Sequence, residues 1–198
     1  MAIFLDIFEH ISDTSLWALD ETGKRLESNN YYSWSPIGKP THIEQNGNRK
    51  GVNIIGATEI MNHFDFKYDI YPKGGKTNVN ICSSHVIRFI EKILSYDAQR
   101  GIQTTFIILD NARIHRSEEI KQFVKKYKER LFLIFQPVYS PELNPQENMW
   151  NWMKSFLAST SAYSNIDELM DEVERFQSYV SKIPHDVKKR ICARNFYK

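Results

Sequence analysis

Cysteine is scarce in this chain. The two that occur, Cys82 and Cys192, lie far apart and form no CxxC pair. That excludes a zinc site built on cysteines and leaves two reduced thiols. Long hydrophobic runs are also missing: no stretch approaches the ~20 apolar residues that span a bilayer. The start, Met1-Ala-Ile-Phe-Leu-Asp6, lacks the basic segment of a signal peptide, so the sequence reads as cytoplasmic. Charge of one sign is lacking too. A formal net charge of +2 neither demands nor excludes nucleic acid, because a basic groove can coexist with acidic surface elsewhere. Aromatics are well represented at 13%, which argues against disorder over most of the length. The 198 residues suit one domain with a sizeable core, and no internal repeat or linker divides them, so 1–198 is expected to be a single unit.

Pattern divides the chain into two halves. Leu16 to Asp20 reads as a strand, with Gly23-Lys24 suggesting a turn after it. Thr41 to Gln45 is a short strand candidate, and Asn46-Gly47 is a hairpin signal. The β-rich run Val52-Asn-Ile-Ile-Gly-Ala-Thr58 and the segment Phe64 to Tyr71 extend an antiparallel meander. The period then changes. Val79, Cys82, Val86, Phe89, Ile90, Ile93 and Leu94 recur at helical spacing, which predicts a helix from Val79 to Arg100. Thr104–Leu109 and Leu131–Phe135 are continuously apolar, as buried parallel strands are. Ser117 is a candidate N-cap for a helix between them. Further helices are expected from Pro145 to Ala158 and after the capping signal Asn165-x-x-Glu168. The order predicts an α/β domain with a mixed sheet, a meander followed by parallel strands, and helices on both faces.

Three acidic residues sit at element ends. Asp110 closes the strand Thr104–Leu109, where open α/β sheets collect ligands; an Asx turn would explain it equally. Asp20 shares a strand face with Leu16 and Ala18, Glu21 points to the other side, and an exposed strand-end acid is the alternative. Glu147 follows Asn144-Pro145-Gln146, an N-cap, a first-position proline and a capping-box acid, so capping alone would account for it. On the helix, however, it lies nearly opposite the face formed by Met149, Trp152, Met153, Phe156 and Leu157. Three carboxylates on rigid element ends are what a Mg²⁺-dependent phosphoryl-transfer site needs, because hard cations take oxygen ligands.

Two long blocks, Asp110-Asn-Ala-Arg-Ile-His115-Arg-Ser117 and Tyr139-Ser-Pro-Glu-Leu-Asn-Pro-Gln-Glu147-Asn-Met-Trp150, resemble the second and third catalytic blocks of mariner-superfamily transposases. Leu19-Asp20-Glu21 with Tyr32-Ser-Trp34-Ser-Pro-Ile-Gly38-Lys-Pro40 resembles the first block. The closer likeness is to the bacterial insertion-sequence branch with a DDE-type endonuclease domain, over roughly residues 14 to 160. The resemblance implies a ribonuclease H-like fold with Asp20, Asp110 and Glu147 as catalytic and metal-binding triad. It also implies two Mg²⁺ ions, with Mn²⁺ able to substitute, and a homodimer assembled on DNA. The implied reaction is cleavage at element ends and strand transfer into a TA-containing target at the bacterial nucleoid. Asn111, His115 and Asn144 would support the site or touch substrate. Family members usually carry an N-terminal helix-turn-helix region; few residues precede Asp20 here, so the chain is expected to be a catalytic domain alone.

Lys39, Arg49, Lys50, Lys73 and Lys76 in the meander loops, and Arg113 and Arg116 beside Asp110, are candidate phosphate contacts; solvated surface is the plain alternative. Trp34 could stack on an unpaired base or pack on the sheet. The end, Lys182 to Lys198, holds six basic residues and one acid and reads as a basic tail. Two other functions stay open: a nuclease of the same fold that does not join ends, and a non-catalytic DNA-binding or dimerisation module derived from a transposase.

Overall fold

The computed structural model describes residues 13–27, 35–39, 50–74, 78–137, 144–158 and 163–191. Trp34, Arg49, Lys76, the strand and hairpin expected over 41–47, and residues 192–198 lie outside them. Five strands form one sheet: β1 (Thr14–Arg25), β2 (Gly51–Glu59), β3 (Phe66–Lys73), β4 (Thr104–Leu109) and β5 (Leu131–Phe135). Their order is β3-β2-β1-β4-β5. β1, β2 and β3 pair antiparallel; β4 and β5 add in parallel to β1. The mixed sheet is as expected.

Helices α1 (Ser83–Gln99) and α2 (Glu118–Lys126) cover one face; α3 (Pro145–Leu157), α4 (Ile166–Val180) and α5 (Pro184–Ile191) cover the other. The two-residue period of β1 feeds both layers. Leu16 and Ala18 join the α3–α5 core, while Trp17 and Leu19 join the α1–α2 core. Inside the second core, Asp97 of α1 accepts hydrogen bonds from Ser15 and Trp17 of β1 and Thr105 of β4, tying the helix to the two strands that present the site.

Four expectations need correction. No turn forms at Gly23-Lys24, because the ladder with β2 continues through Gly23–Asn53, Lys24–Val52 and Arg25–Gly51. Each backbone group has a partner across the strands, which outweighs the local turn signal. Helix α1 begins at Ser83 instead of Val79. The Val79 backbone is already engaged: its N–H donates to Pro72 O at 3.1 Å, and its carbonyl accepts from Asn53 Nδ2 at 2.9 Å. Lastly, part of the expected basic tail is helix α5, with Val187 and Ile191 fully buried. Pro184 at its start and an apolar pair four residues apart are the helix signals that the Lys188-Lys189-Arg190 cluster masked. Lys73 likewise ends β3 and is not a loop residue.

Candidate active site

β1 and β4 lie side by side and parallel, in register at Ala18–Ile108. Their carboxyl ends therefore bring Asp20 and Asp110 to the same edge of the sheet. Helix α3 packs across β1 and β2 and sets Glu147 in its first turn. Three residues far apart in sequence thus meet by topology.

Each carboxylate is held differently. Asp20 is still inside the ladder, opposite Gly56 of β2, and faces α3. There the indole N–H of Trp150 donates to Asp20 Oδ2 at 3.2 Å. Burial pushes the Asp20 carboxyl up to about 7; a backbone N–H from Glu21 opposes this, and the negative charges of Glu21, Glu147 and Asp110 reinforce it. Asp20 feels both other members of the triad, so the three share one electrostatic site.

At Asp110 the two sequence readings coexist. Oδ1 accepts from the backbone N–H of Ala112 at 2.8 Å, an Asx turn. The same oxygen meets His115 Nδ1 at 2.8 Å. The side chain is nonetheless 50% exposed, and Oδ2 makes no hydrogen bond among the described residues. Glu147 is also uncommitted among the described residues. Asn144 caps α3 by accepting from Gln146 N at 3.1 Å, but Glu147 does not return to close a capping box. Capping therefore does not occupy its carboxylate.

His115 was expected as a supporting group, and its part is specific. The ring is fully buried in the short 3-10 turn Arg113–Arg116. Nδ1 meets Asp110 and Nε2 meets Glu21 Oε1 at 2.9 Å. Ionised carboxylates only accept, so both ring nitrogens must donate and the ring is an imidazolium. Burial would hold its pKa down, but the bonds and charges of Glu21 and Asp110 outweigh that and raise it to about 9. Glu21 is the residue that sequence reasoning missed: alternation put it on the face opposite Asp20, yet only the β1–β4 adjacency reveals what waits there.

A pH dependence follows. The folded pKa of His115 lies above its ordinary 6.5, so its stabilisation is fully present below about pH 6.5 and is lost as pH rises through about 9. Between pH 7 and 9.5, without divalent ions, the protein should lose about 2 kcal/mol of stability by denaturant titration. His115→Gln should be less stable at pH 7 and lack that slope; an unchanged slope would refute the imidazolium.

Asn111 donates from Nδ2 to the Gln136 carbonyl, which fixes the loop after β4 to the end of β5. Gln136 Nε2 and Gln146 Nε2 are buried with no hydrogen-bond partner among the described residues. Arg113 and Arg116 are exposed on the 3-10 turn. Lys39, exposed in a turn closed by its N–H to Pro36 O, makes no contact with the carboxylates among the described residues. Asp20, Asp110, Glu147 and His115 are thus linked by charge or hydrogen bonds, with Asn111 and Asn144 on the segments that carry Asp110 and Glu147.

Known proteins resemble this chain in sequence and in fold. A 39 kDa protein of insertion element IS630 from Shigella sonnei is 32% identical over 85 residues, which is 43% of this chain and 24% of that protein. Protein y4pE/y4sA of Sinorhizobium fredii (strain NBRC 101917 / NGR234) is 33% identical over 64 residues, 32% of this chain and 44% of that protein. The matched stretch thus spans less than half of either relative. Among solved structures, the Mos1 mariner paired end complex with Mn superposes with a TM-score of 0.65 at 14% identity, covering 96% of this chain and 57% of that one. The catalytic domain of Mos1 mariner transposase gives 0.57 at 12% identity, covering 96% and 85%. At that identity the likeness is one of fold, the ribonuclease H-like one. The model of the DDE superfamily endonuclease family matches residues 15–170, most of the chain and all three carboxylates, and this protein belongs to that family.

Proposed function

We propose that this chain is the catalytic domain of an insertion-sequence transposase, a divalent-metal-dependent DNA endonuclease and strand transferase with Asp20, Asp110 and Glu147 at its centre. The observation that carries this is that carboxylates from β1, β4 and α3 lie near enough to interact electrostatically, with Glu147 and one oxygen of Asp110 uncommitted among the described residues.

The donor set fits Mg²⁺ or Mn²⁺. It is all carboxylate, hard and anionic, with no thiol among it. Among the described residues no three such groups already stand close enough to enclose an ion. That suits a site which phosphate oxygens of the substrate complete, as Mg²⁺ sites often are. Asp20, Asp110 and Glu147 would hold two ions. Bound there, the ions supply activation of the attacking oxygen and stabilisation of the leaving oxygen on phosphorus. The chain's own residues do the positioning. The β-ladder fixes the Asp20 backbone and Trp150 orients its carboxyl. The Ala112 N–H and His115 hold one oxygen of Asp110, so the other faces outward. Glu21 holds His115 from behind. DNA is the proposed substrate, element ends first and a TA-containing target second, on a homodimer.

The test is plasmid nicking by the purified protein in Mn²⁺ or Mg²⁺. Asp110→Asn should slow cleavage by about three orders of magnitude, the effect of removing ~4 kcal/mol of transition-state stabilisation. Covalent joining of the freed 3′ ends to target DNA distinguishes strand transfer from hydrolysis alone. DNA binding without any cleavage in either metal would favour a non-catalytic module and sink the proposal.

A further inference from the structure

A groove of about 600 Å³ runs between helix α2 and strand β5, on the far side of Asp110 from α3. Its head is formed by Asn111 and His115, the two groups that brace the Asp110 loop. β5 is the edge strand of the sheet, and edges are usually blunted by charge. This one instead reads Leu-Phe-Leu-Ile-Phe, and its last residue, Phe135, is 41% exposed. Facing it, Lys121, Lys125 and Lys128 recur at spacings of four and three, which puts them on one side of α2 and its C-terminal turn. The Arg116 guanidinium lies 5.9 Å from the centre of the Phe135 ring.

Cations on one wall and an open aromatic ring on the other have a definite ligand chemistry. Lysines neutralise phosphates along a backbone, and an exposed ring stacks on a base. Duplex DNA hides its base faces and offers Phe135 nothing to stack on. A protein strand adding to β5 would use the edge but leave the lysines without counter-charge. Glu118 is exposed and already paired with Lys121 at 3.3 Å, so it does not reverse the sign of the groove. Helix-dipole compensation accounts for Lys125 in the last turn of α2, but Lys121 precedes that turn and Lys128 follows it. The groove also starts where a scissile phosphate at Asp110 would lie.

We propose that the α2–β5 groove takes an unpaired DNA strand that continues away from the phosphate held at Asp110. This rests on the endonuclease reading above and says where one strand goes. It adds Lys121, Lys125 and Lys128 to the candidate phosphate contacts already named in the meander loops and beside Asp110.

The experiment measures binding of a fluorescein-labelled single strand and the matching duplex by anisotropy, in Ca²⁺, across a salt series. Three proteins are compared with wild type: the triple variant Lys121→Gln, Lys125→Gln, Lys128→Gln; the charge-matched triple Lys182→Gln, Lys188→Gln, Lys189→Gln around α5; and Phe135→Leu, which keeps apolar bulk but removes the ring. The groove triple should weaken single-strand binding about tenfold more than the α5 triple and flatten the salt slope by about two, near 0.7 per lost phosphate contact. Phe135→Leu should weaken the single strand about tenfold and leave the duplex nearly unchanged. Equal losses in the two triples, or a Phe135→Leu protein that binds both DNAs as wild type does, would overturn the groove assignment. So would a change of oligomeric state in Phe135→Leu with DNA affinity intact, which would make β5 a protein edge. If wild type cuts DNA while the groove variants bind normally, only this inference fails. If wild type neither binds nor cuts, both readings fall.

Discussion

Asp20→Asn should melt at a higher temperature than wild type in metal-free buffer above pH 7, although it removes a member of the proposed catalytic triad. Asp20 is pushed up to about 7 by burial first, with Glu21, Glu147 and Asp110 adding like charge. A carboxyl raised above its ordinary 3.8 opposes folding once it ionises. That penalty is absent below about pH 4, grows through the window up to pH 7, and is complete above it. Three units correspond to at most about 4 kcal/mol, and partial solvation reduces this to about 1 to 3 kcal/mol. For a chain of this size the gain in Tm is roughly 3–10 °C. Asparagine keeps an oxygen for the Trp150 N–H, so the geometry survives while the charge goes. Mn²⁺ should reverse the order, because a ligand that binds only the folded state stabilises it, and wild type alone keeps the full ligand set. Calorimetry at pH 4.5 and pH 8, with and without Mn²⁺, reads all of this. A less stable Asp20→Asn at pH 8 without metal would show that the carboxylate is not strained by its surroundings. This is the usual exchange between stability and function at a charged site.

Gly56→Ala should damage stability and cleavage together. Gly56 faces Asp20 across the β1–β2 ladder. A Cβ built there would lie 2.5 Å from Trp150 Cη2, 3.1 Å from Phe66 Cε2 and 3.2 Å from the Lys67 carbonyl. Neither ring has room to yield: Trp150 is fully buried, and Phe66 packs edge-on against it with centroids 5.8 Å apart. Overpacking of this kind costs about 1–3 kcal/mol. Any shift of the indole also withdraws its N–H from Asp20, and a hydrogen bond to a charged group contributes about 1.5–3 kcal/mol. The expected result is a fall of several degrees in Tm together with a loss of roughly 10- to 100-fold in cleavage rate. Trp150→Phe separates the two effects. It removes the N–H and keeps most of the packing, so cleavage should fall with a smaller change in Tm. A Gly56→Ala protein with wild-type Tm and cleavage would show that the indole can move freely, and the positioning account of Trp150 would fail.

Both predictions depend on contacts that no local pattern in the sequence announces. Gly56 reads as one more residue in a β-rich run. Trp150 stands in the third catalytic block without any mark that its indole meets Asp20. Glu147 looked like half of a capping box because Asn144 three residues earlier satisfies the rule; the structure keeps the cap and leaves the acid free. Glu21 was placed correctly on the face away from Asp20, yet its partner His115 lies in a turn that the parallel pairing of β1 with β4 carries beneath it. Helix α5 was hidden by its basic cluster, since charge patterning near a chain end reads as a tail unless burial of Val187 and Ile191 is known.

What the sequence determined by itself is local and periodic. Alternation and apolar runs defined β2, β4 and β5, helical spacing defined α1 to α4, and Ser117, Asn144 and Asn165 each cap the helix that follows. Three ordered blocks of residues were enough to point to the candidate triad and the family. These signals survive because hydrophobic period and end capping act over a few residues and do not depend on the rest of the chain. Tertiary structure decided everything that joins distant segments: the strand order that sets Asp20 beside Asp110, the imidazolium shared by Glu21 and Asp110, the glycine that makes room for Trp150, and the cationic groove along β5. Those are set by which elements pack together, and packing follows from shape and buried area summed over the whole domain, which no window of the sequence contains.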